Sequence, residues 1–164
     1  MADAAAQVSG VAREELVALV VNHLEIQPLV LQILDVAART NSTETLAALG
    51  AVLGDAAVVH HRTLDENVVI AAALRDLGPV HVRLLDVMTR TPADVLGDNP
   101  NTAWTGAKVR MALPDLAPSL VQGALGGLIR HGLVNITSPW SAVGYEMSDF
   151  GRAMLGVFAA SRDY

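Results

Sequence analysis

Leu120-Val-Gln-Gly-Ala-Leu-Gly-Gly-Leu-Ile-Arg-His-Gly-Leu-Val-Asn135 is the stretch whose reading decides the fold. Leu120, Val121, Ala124, Leu125, Leu128 and Ile129 recur at helical spacing and predict one wide apolar stripe. Gly132 follows His131 where a helix would stop, and Leu133-Val134 resume in an extended pattern. A polar stretch from Asn135 to Gly144 leads into Tyr145-Glu-Met-Ser-Asp-Phe-Gly-Arg-Ala-Met-Leu155. The order predicted is helix, glycine stop, short strand, turn, short strand and closing helix. A two-stranded hairpin, Leu133–Thr137 against Tyr145–Met147, is expected, with Ser148 capping the helix that follows.

Upstream of this segment the chain reads as helices. Leu16, Val17, Val20, Val21 and Leu24 give an amphipathic helix over residues 11–25, with Arg13, Glu14 and Glu15 in its first turn. Pro28 either opens a second helix running to Arg39 or kinks one long helix. Ser42 offers an N-cap for a third helix towards His60, in which Gly50 and Gly54 suggest a close helix–helix crossing. Thr63-Leu-Asp-Glu66 matches a capping box and opens a helix carrying Val68, Val69, Ala72, Leu74 and Leu77. Gly78-Pro79 ends that helix and starts another, Pro79–Arg90; residues 91–102 read as a loop. A short helix over Ala107–Leu113 and a long one from Pro118 complete the pattern. The expected fold is mainly α: an N-terminal helical segment (1–77) for oligomerisation, then a winged-helix-like domain (78–164) with a small β-hairpin.

Residues ~79–160 resemble a winged helix-turn-helix domain, and their end resembles the MarR-like kind. There, "GLV/GLI" closes the recognition helix and "Y-x-L-T-x-x-G-r-x-l" follows the wing. Gly132-Leu-Val matches the first, and Met147-Ser148, Gly151 and Arg152 stand at the Leu-Thr, glycine and basic positions of the second. The resemblance implies that Pro118–His131 enters the major groove of DNA. Ser119 would then meet a phosphate and Gln122 an adenine, with Lys108, Arg110, Arg130 and Arg152 as the cations near the groove. These six are the candidate nucleic-acid-binding residues. The chain departs from the family in lacking a basic recognition helix and a basic wing: Ser138–Gly144 holds neither lysine nor arginine, and no arginine stands early enough in the long helix to clamp a guanine. Trp140 at the wing tip is either a contact residue or folded onto the core. Gly126 and Gly127 suggest tight packing, and a core helix of a small α+β domain is the alternative reading of 118–131.

Charge divides the chain. The net charge is −6; residues 1–103 hold six arginines against thirteen carboxylates, and residues 104–164 hold five bases against four acids. DNA affinity comes mainly from neutralised phosphates, so the first part would repel DNA and the second is barely compatible with it. Lys108 is the only lysine. The mean hydropathy of +0.39 is high, and a homodimer through the apolar stripes of 11–40 and the small-residue face of 43–59 would hide the excess.

Enzymatic chemistry finds no foothold. There is no cysteine, hence no disulfide, thiolate zinc site or cysteine nucleophile. His60-His61 are adjacent and point roughly 100° apart on a helix, while His23, His81 and His131 lack a partner at helical spacing. No G-x-S-x-G frame or phosphate loop is present, so no catalytic residue, metal or cofactor is expected. The longest apolar run, Leu46–Val59, is interrupted by Asp55 and is too short to span a bilayer, and the start Met1-Ala-Asp lacks the basic residues of a signal; a soluble, cytoplasmic protein is expected. Two functions stay open: a dimeric DNA-binding transcriptional regulator, or an acidic interaction module that binds a protein partner and no DNA.

Overall fold

Pro28 resolves the first ambiguity in the computed structural model, which describes residues 13–59, 62–96, 103–137 and 143–162. Helix α1 (Arg13–Asn22) ends before a 3₁₀ turn, Leu24–Ile26, and Pro28 lies in the first turn of α2 (Gln27–Arg39). There its missing N–H has no intrahelical duty, so the chain makes two helices in place of one kinked helix. Ser42 caps α3 (Thr43–Gly54) by accepting the Thr45 N–H at 3.1 Å. A π-turn, Asp55–Val59, follows. Thr63 and Glu66 form the full capping box of α4 (Leu64–Leu74): the Thr63 N–H reaches Glu66 Oε2 at 2.6 Å and the Glu66 N–H reaches Thr63 Oγ1 at 3.2 Å.

Helices α2, α3 and α4 pack on one another. Leu29, Ile33 and Val36 of α2 meet a core that includes Leu49 and Val52 of α3 and Ile70 and Leu74 of α4. Every residue from Ala48 to Gly54 is buried. The small-residue face of 43–59 is therefore consumed inside the chain, a correction to its expected place in a dimer interface. The face of α4 also differs from expectation: Ile70, Ala71, Ala73 and Leu74 are buried with Asn67, whereas Val69 is 53% exposed. Residues 68–74 are apolar at every position, so no polar contrast marks the buried side. Asn67 is fully buried, and its amide donates to Asp55 Oδ2 at 3.0 Å; the same oxygen accepts the Arg62 N–H at 3.2 Å. This ties the π-turn to α4.

Residues 79–155 form a second compact unit, while the residues up to Gly78 and those from Gly156 belong to the first. The second unit begins with α5 (Pro79–Met88), whose Val82, Leu84, Leu85, Val87 and Met88 are buried. The segment read as a loop contains a one-turn helix, α6 (Pro92–Leu96), capped by Thr91, whose Oγ1 accepts the Asp94 N–H at 3.2 Å. A strand that the sequence did not signal follows: β1 (Trp104–Thr105). Thr105 then caps α7 (Gly106–Ala112), and α8 (Pro118–Arg130) carries the apolar stripe, burying Val121, Ala124, Leu125 and Leu128. Strands β2 (Val134–Thr137) and β3 (Gly144–Met147) pair antiparallel with Val134 opposite Met147 and Thr137 opposite Gly144. The order is β1-β3-β2, so the hairpin is extended to three strands by Trp104 opposite Tyr145. Helix α9 (Asp149–Arg162) closes the chain. From Pro79 the chain thus runs α5, α6, β1, α7, α8, the β2–β3 hairpin and α9, mainly helical with one small three-stranded antiparallel sheet.

The turn from α8 into β2 is set by Gly132, at φ +69°. Its N–H bonds the Ile129 carbonyl and the Leu133 N–H bonds the Leu128 carbonyl, both at 2.9 Å, the paired pattern of a Schellman stop. Ser148 then fastens the far side of the hairpin to this stop. Its Oγ donates to the Gly132 carbonyl at 2.6 Å and accepts the Gly151 N–H at 2.9 Å, while its own N–H bonds the Leu133 carbonyl at 3.0 Å. Gly151 is buried beneath that carbonyl, and a methyl there would collide with the Leu133 oxygen and with Met147 Cγ. Neither the oxygen nor its strand can give way, so Gly151→Ala is expected to destabilise the fold by ~1–3 kcal/mol despite alanine's better helix propensity. Urea unfolding of the two proteins checks this, and equal midpoints would refute the close approach.

Candidate nucleic-acid interface

Helix α8 presents Ser119, Gln122, Gly123, Gly126 and Arg130 to solvent, spaced three or four apart on one side. Beside this stripe lies a groove of ≈ 390 Å³, walled by Gly106, Ala107 and Arg110 of α7, Pro118, Val121, Gln122, Leu125, Gly126 and Ile129 of α8, and Tyr145 of β3. The structure thus brings Arg110 and Gln122, two of the six candidates, into one groove. Ser119 is exposed in the first turn of α8 and Arg130 in its last. Lys108 is half-buried on α7, its N–H held by Thr105 Oγ1 at 3.3 Å.

Arg152 goes elsewhere. It lines a separate hollow of ≈ 420 Å³ with Arg90, Trp104 and Met147, and its guanidinium is paired with Asp149 at 3.0 Å. Tyr145 borders both spaces. Trp104 forms a wall of the second, buried, with its indole N–H on the Arg90 carbonyl at 3.0 Å. Trp140 and His60-His61 lie outside the described residues. Among the described residues no three His, Asp or Glu side chains gather as metal ligands, and no helix is long and apolar enough to cross a membrane.

The electrostatics of the interface turn on Arg83, which the sequence did not single out. From Gly106 to Arg130 the only carboxylate is Asp115. Arg83 of α5 grips it with both terminal nitrogens, at 2.8 and 3.0 Å. The hydrogen bonds from Arg83 hold the Asp115 carboxyl below the usual carboxylate range and raise the guanidinium in return. Arg110 and Arg130 make no ion pair with a described residue; Arg110 Nε donates to the Gly106 carbonyl at 3.2 Å. The α7–α8 face therefore bears Arg110 and Arg130 with the Asp115 carboxylate already engaged; Lys108 does not line the groove, and the unit of 79–155 has six bases and six acids in all. A pairing between residues 32 apart leaves no mark in the sequence.

Comparison with known proteins finds no matching family model, no similar curated protein and no similar solved structure.

The adjacent glycines of α8 have opposite surroundings. A Cβ at Gly126 would meet nothing within 4 Å, whereas one at Gly127 would lie 2.8 Å from the His81 ring, where α5 crosses α8. Gly127 is thus the tightly packed glycine, and Gly126 belongs to the open face. Gly126→Ala is expected to stabilise the protein by ~0.5–1 kcal/mol through helix propensity alone, and Gly127→Ala to gain less or lose, because His81 must swing away. Thermal unfolding of both variants tests the assignment; equal gains would contradict it.

Proposed function

We propose that this protein is a non-enzymatic, homodimeric DNA-binding regulator of the cytoplasm, of MarR-like winged-helix kind, with α8 as its recognition helix. The α7–α8 face carries this reading: Arg110 and Arg130 stand on it, and Arg83 engages Asp115, the one carboxylate between Gly106 and Arg130. Ser119 and Arg130 lie ~16 Å apart along α8 at 1.5 Å per residue. A major groove is ~12 Å wide, so the two ends of the stripe suit phosphates on either side while Gln122 meets a base edge between them.

The dimer contact assigned here is α1 to α2. Val17, Val21 and Leu24 continue one stripe at 55, 64 and 73% exposure, and Leu31 is 69% and Leu34 48% exposed on α2. Five such side chains at ~1.5–3 kcal/mol for full burial make a substantial driving force when two copies pair. Sedimentation at micromolar concentration is expected to give the mass of two chains, and Val21→Asp with Leu31→Asp to give one. A wild-type mass of one chain would remove the dimer.

Two arginines per copy, four per dimer, limit non-specific affinity to about 10⁻⁴–10⁻⁶ M at physiological salt, with a slope of about −4 in log K against log salt. Arg130→Ala is expected to weaken random-duplex binding and flatten that slope by about 2 per dimer. Titration against random duplex at several salt concentrations measures both. A protein partner is the second reading, favoured by Met111 and Leu120, which are 66 and 47% exposed on the same two helices. Absence of duplex binding by the wild-type dimer would put that reading first.

A further inference from the structure

We infer that Arg110 supplies, from the neighbouring helix, the guanine-reading fork that α8 itself lacks. The inference depends on the DNA reading above. Ser119, Gln122, Gly123, Gly126 and Arg130 are the exposed stripe of α8, and only Gln122 lies mid-stripe with hydrogen-bonding capacity. Its amide suits adenine. Arg110 enters the same groove from α7.

What separates Arg110 from a simple phosphate contact is how it is held. Its Nε is committed to the Gly106 carbonyl, four residues back on its own helix, at 3.2 Å. That bond fixes the plane of the guanidinium. Both terminal nitrogens are left without a partner among the described residues, as a planar pair of donors. Guanine offers O6 and N7 side by side in the major groove, the acceptor pair that a guanidinium fork meets bidentately. A phosphate needs only a positive charge, and Arg130, at the end of the stripe, is placed for that. Arg110 borders the groove beside Gln122, so the guanine it reads lies close to an adenine read by Gln122.

The experiment is selection of binding sites from a randomised duplex library by the full-length wild-type protein and by Arg110→Lys, Arg110→Ala and Gln122→Ala. Arg110 is exposed, and lysine keeps both charge and helix propensity, so the Lys variant isolates the fork from the charge. Wild-type protein is expected to select a guanine at one position in each half-site. Arg110→Lys should lose that preference by about ten-fold or more, with random-duplex affinity and salt slope unchanged. Gln122→Ala should keep the guanine and lose a neighbouring adenine. Replacing the selected guanine by 7-deazaguanine, which lacks the N7 acceptor, should weaken the wild type and leave Arg110→Lys unaffected. Retention of the guanine preference by Arg110→Lys, or a salt slope lowered in Arg110→Ala with specificity intact, would make Arg110 a phosphate contact and overturn the inference alone. Failure of the wild type to bind any duplex would overturn it together with the DNA reading.

Discussion

The second unit hangs on the junction at Gly132. Where α8 stops, its last carbonyls are satisfied by the Schellman bonds, and the Gly132 and Leu133 carbonyls then receive the Oγ and N–H of Ser148. One serine therefore closes the hairpin, caps α9 and anchors both to the end of α8. The closeness this requires is possible because Gly151 has no side chain against the Leu133 carbonyl. The register of β2 on β3, the start of α9 and the position of Tyr145 beside the α7–α8 groove all follow from it.

Net charge gives a poor account of this surface. A chain with a charge of −6 presents Arg110 and Arg130 between and along α7 and α8 with no ion pair to a described residue. The division is made by two kinds of pairing. Local pairs, Arg152 with Asp149 and Arg90 with Asp86, remove cations from the reckoning, and the long-range pair Arg83–Asp115 removes an acid. These pairs are exposed and contribute little to stability. Their consequence is where charge is left over, and it is left on Arg110 and Arg130.

The N-terminal unit shows the limit of reading apolar excess as interface. Helix α3 is rich in small and aliphatic residues because it is enclosed: α2 and α4 both pack on it, and every residue from Ala48 to Gly54 is buried. Most of the apolar surface that does remain lies on α1, the 3₁₀ turn and α2, with Val69 of α4 beside it in the exposed set. Thr45, Asp55 and Asn67 are the buried polar side chains among the described residues, and the hydrogen bond from Asn67 to Asp55 holds the π-turn to α4.

Local chemistry made much of the fold legible. Caps at Ser42, Thr63 and Ser148, the proline at 28, the glycine stop at 132 and the apolar period of α8 are instructions carried by residues within a few positions of one another. The fold class, most helix boundaries and the two hairpin segments could be read from them. Strand β1 could not, because two residues have no period and Trp104-Thr105 becomes a strand only by lying against β3. The buried side of α4 was hidden by its uniform apolarity. For the candidate site, the sequence determined the identity of six polar residues and the poverty of cations around them. Only the tertiary structure decided that Arg110 and Gln122 share a groove, that Arg152 does not join them and that Arg83 disarms Asp115. Such facts depend on contacts between residues far apart in the chain, and spacing along a helix carries no information about what another helix brings beside it.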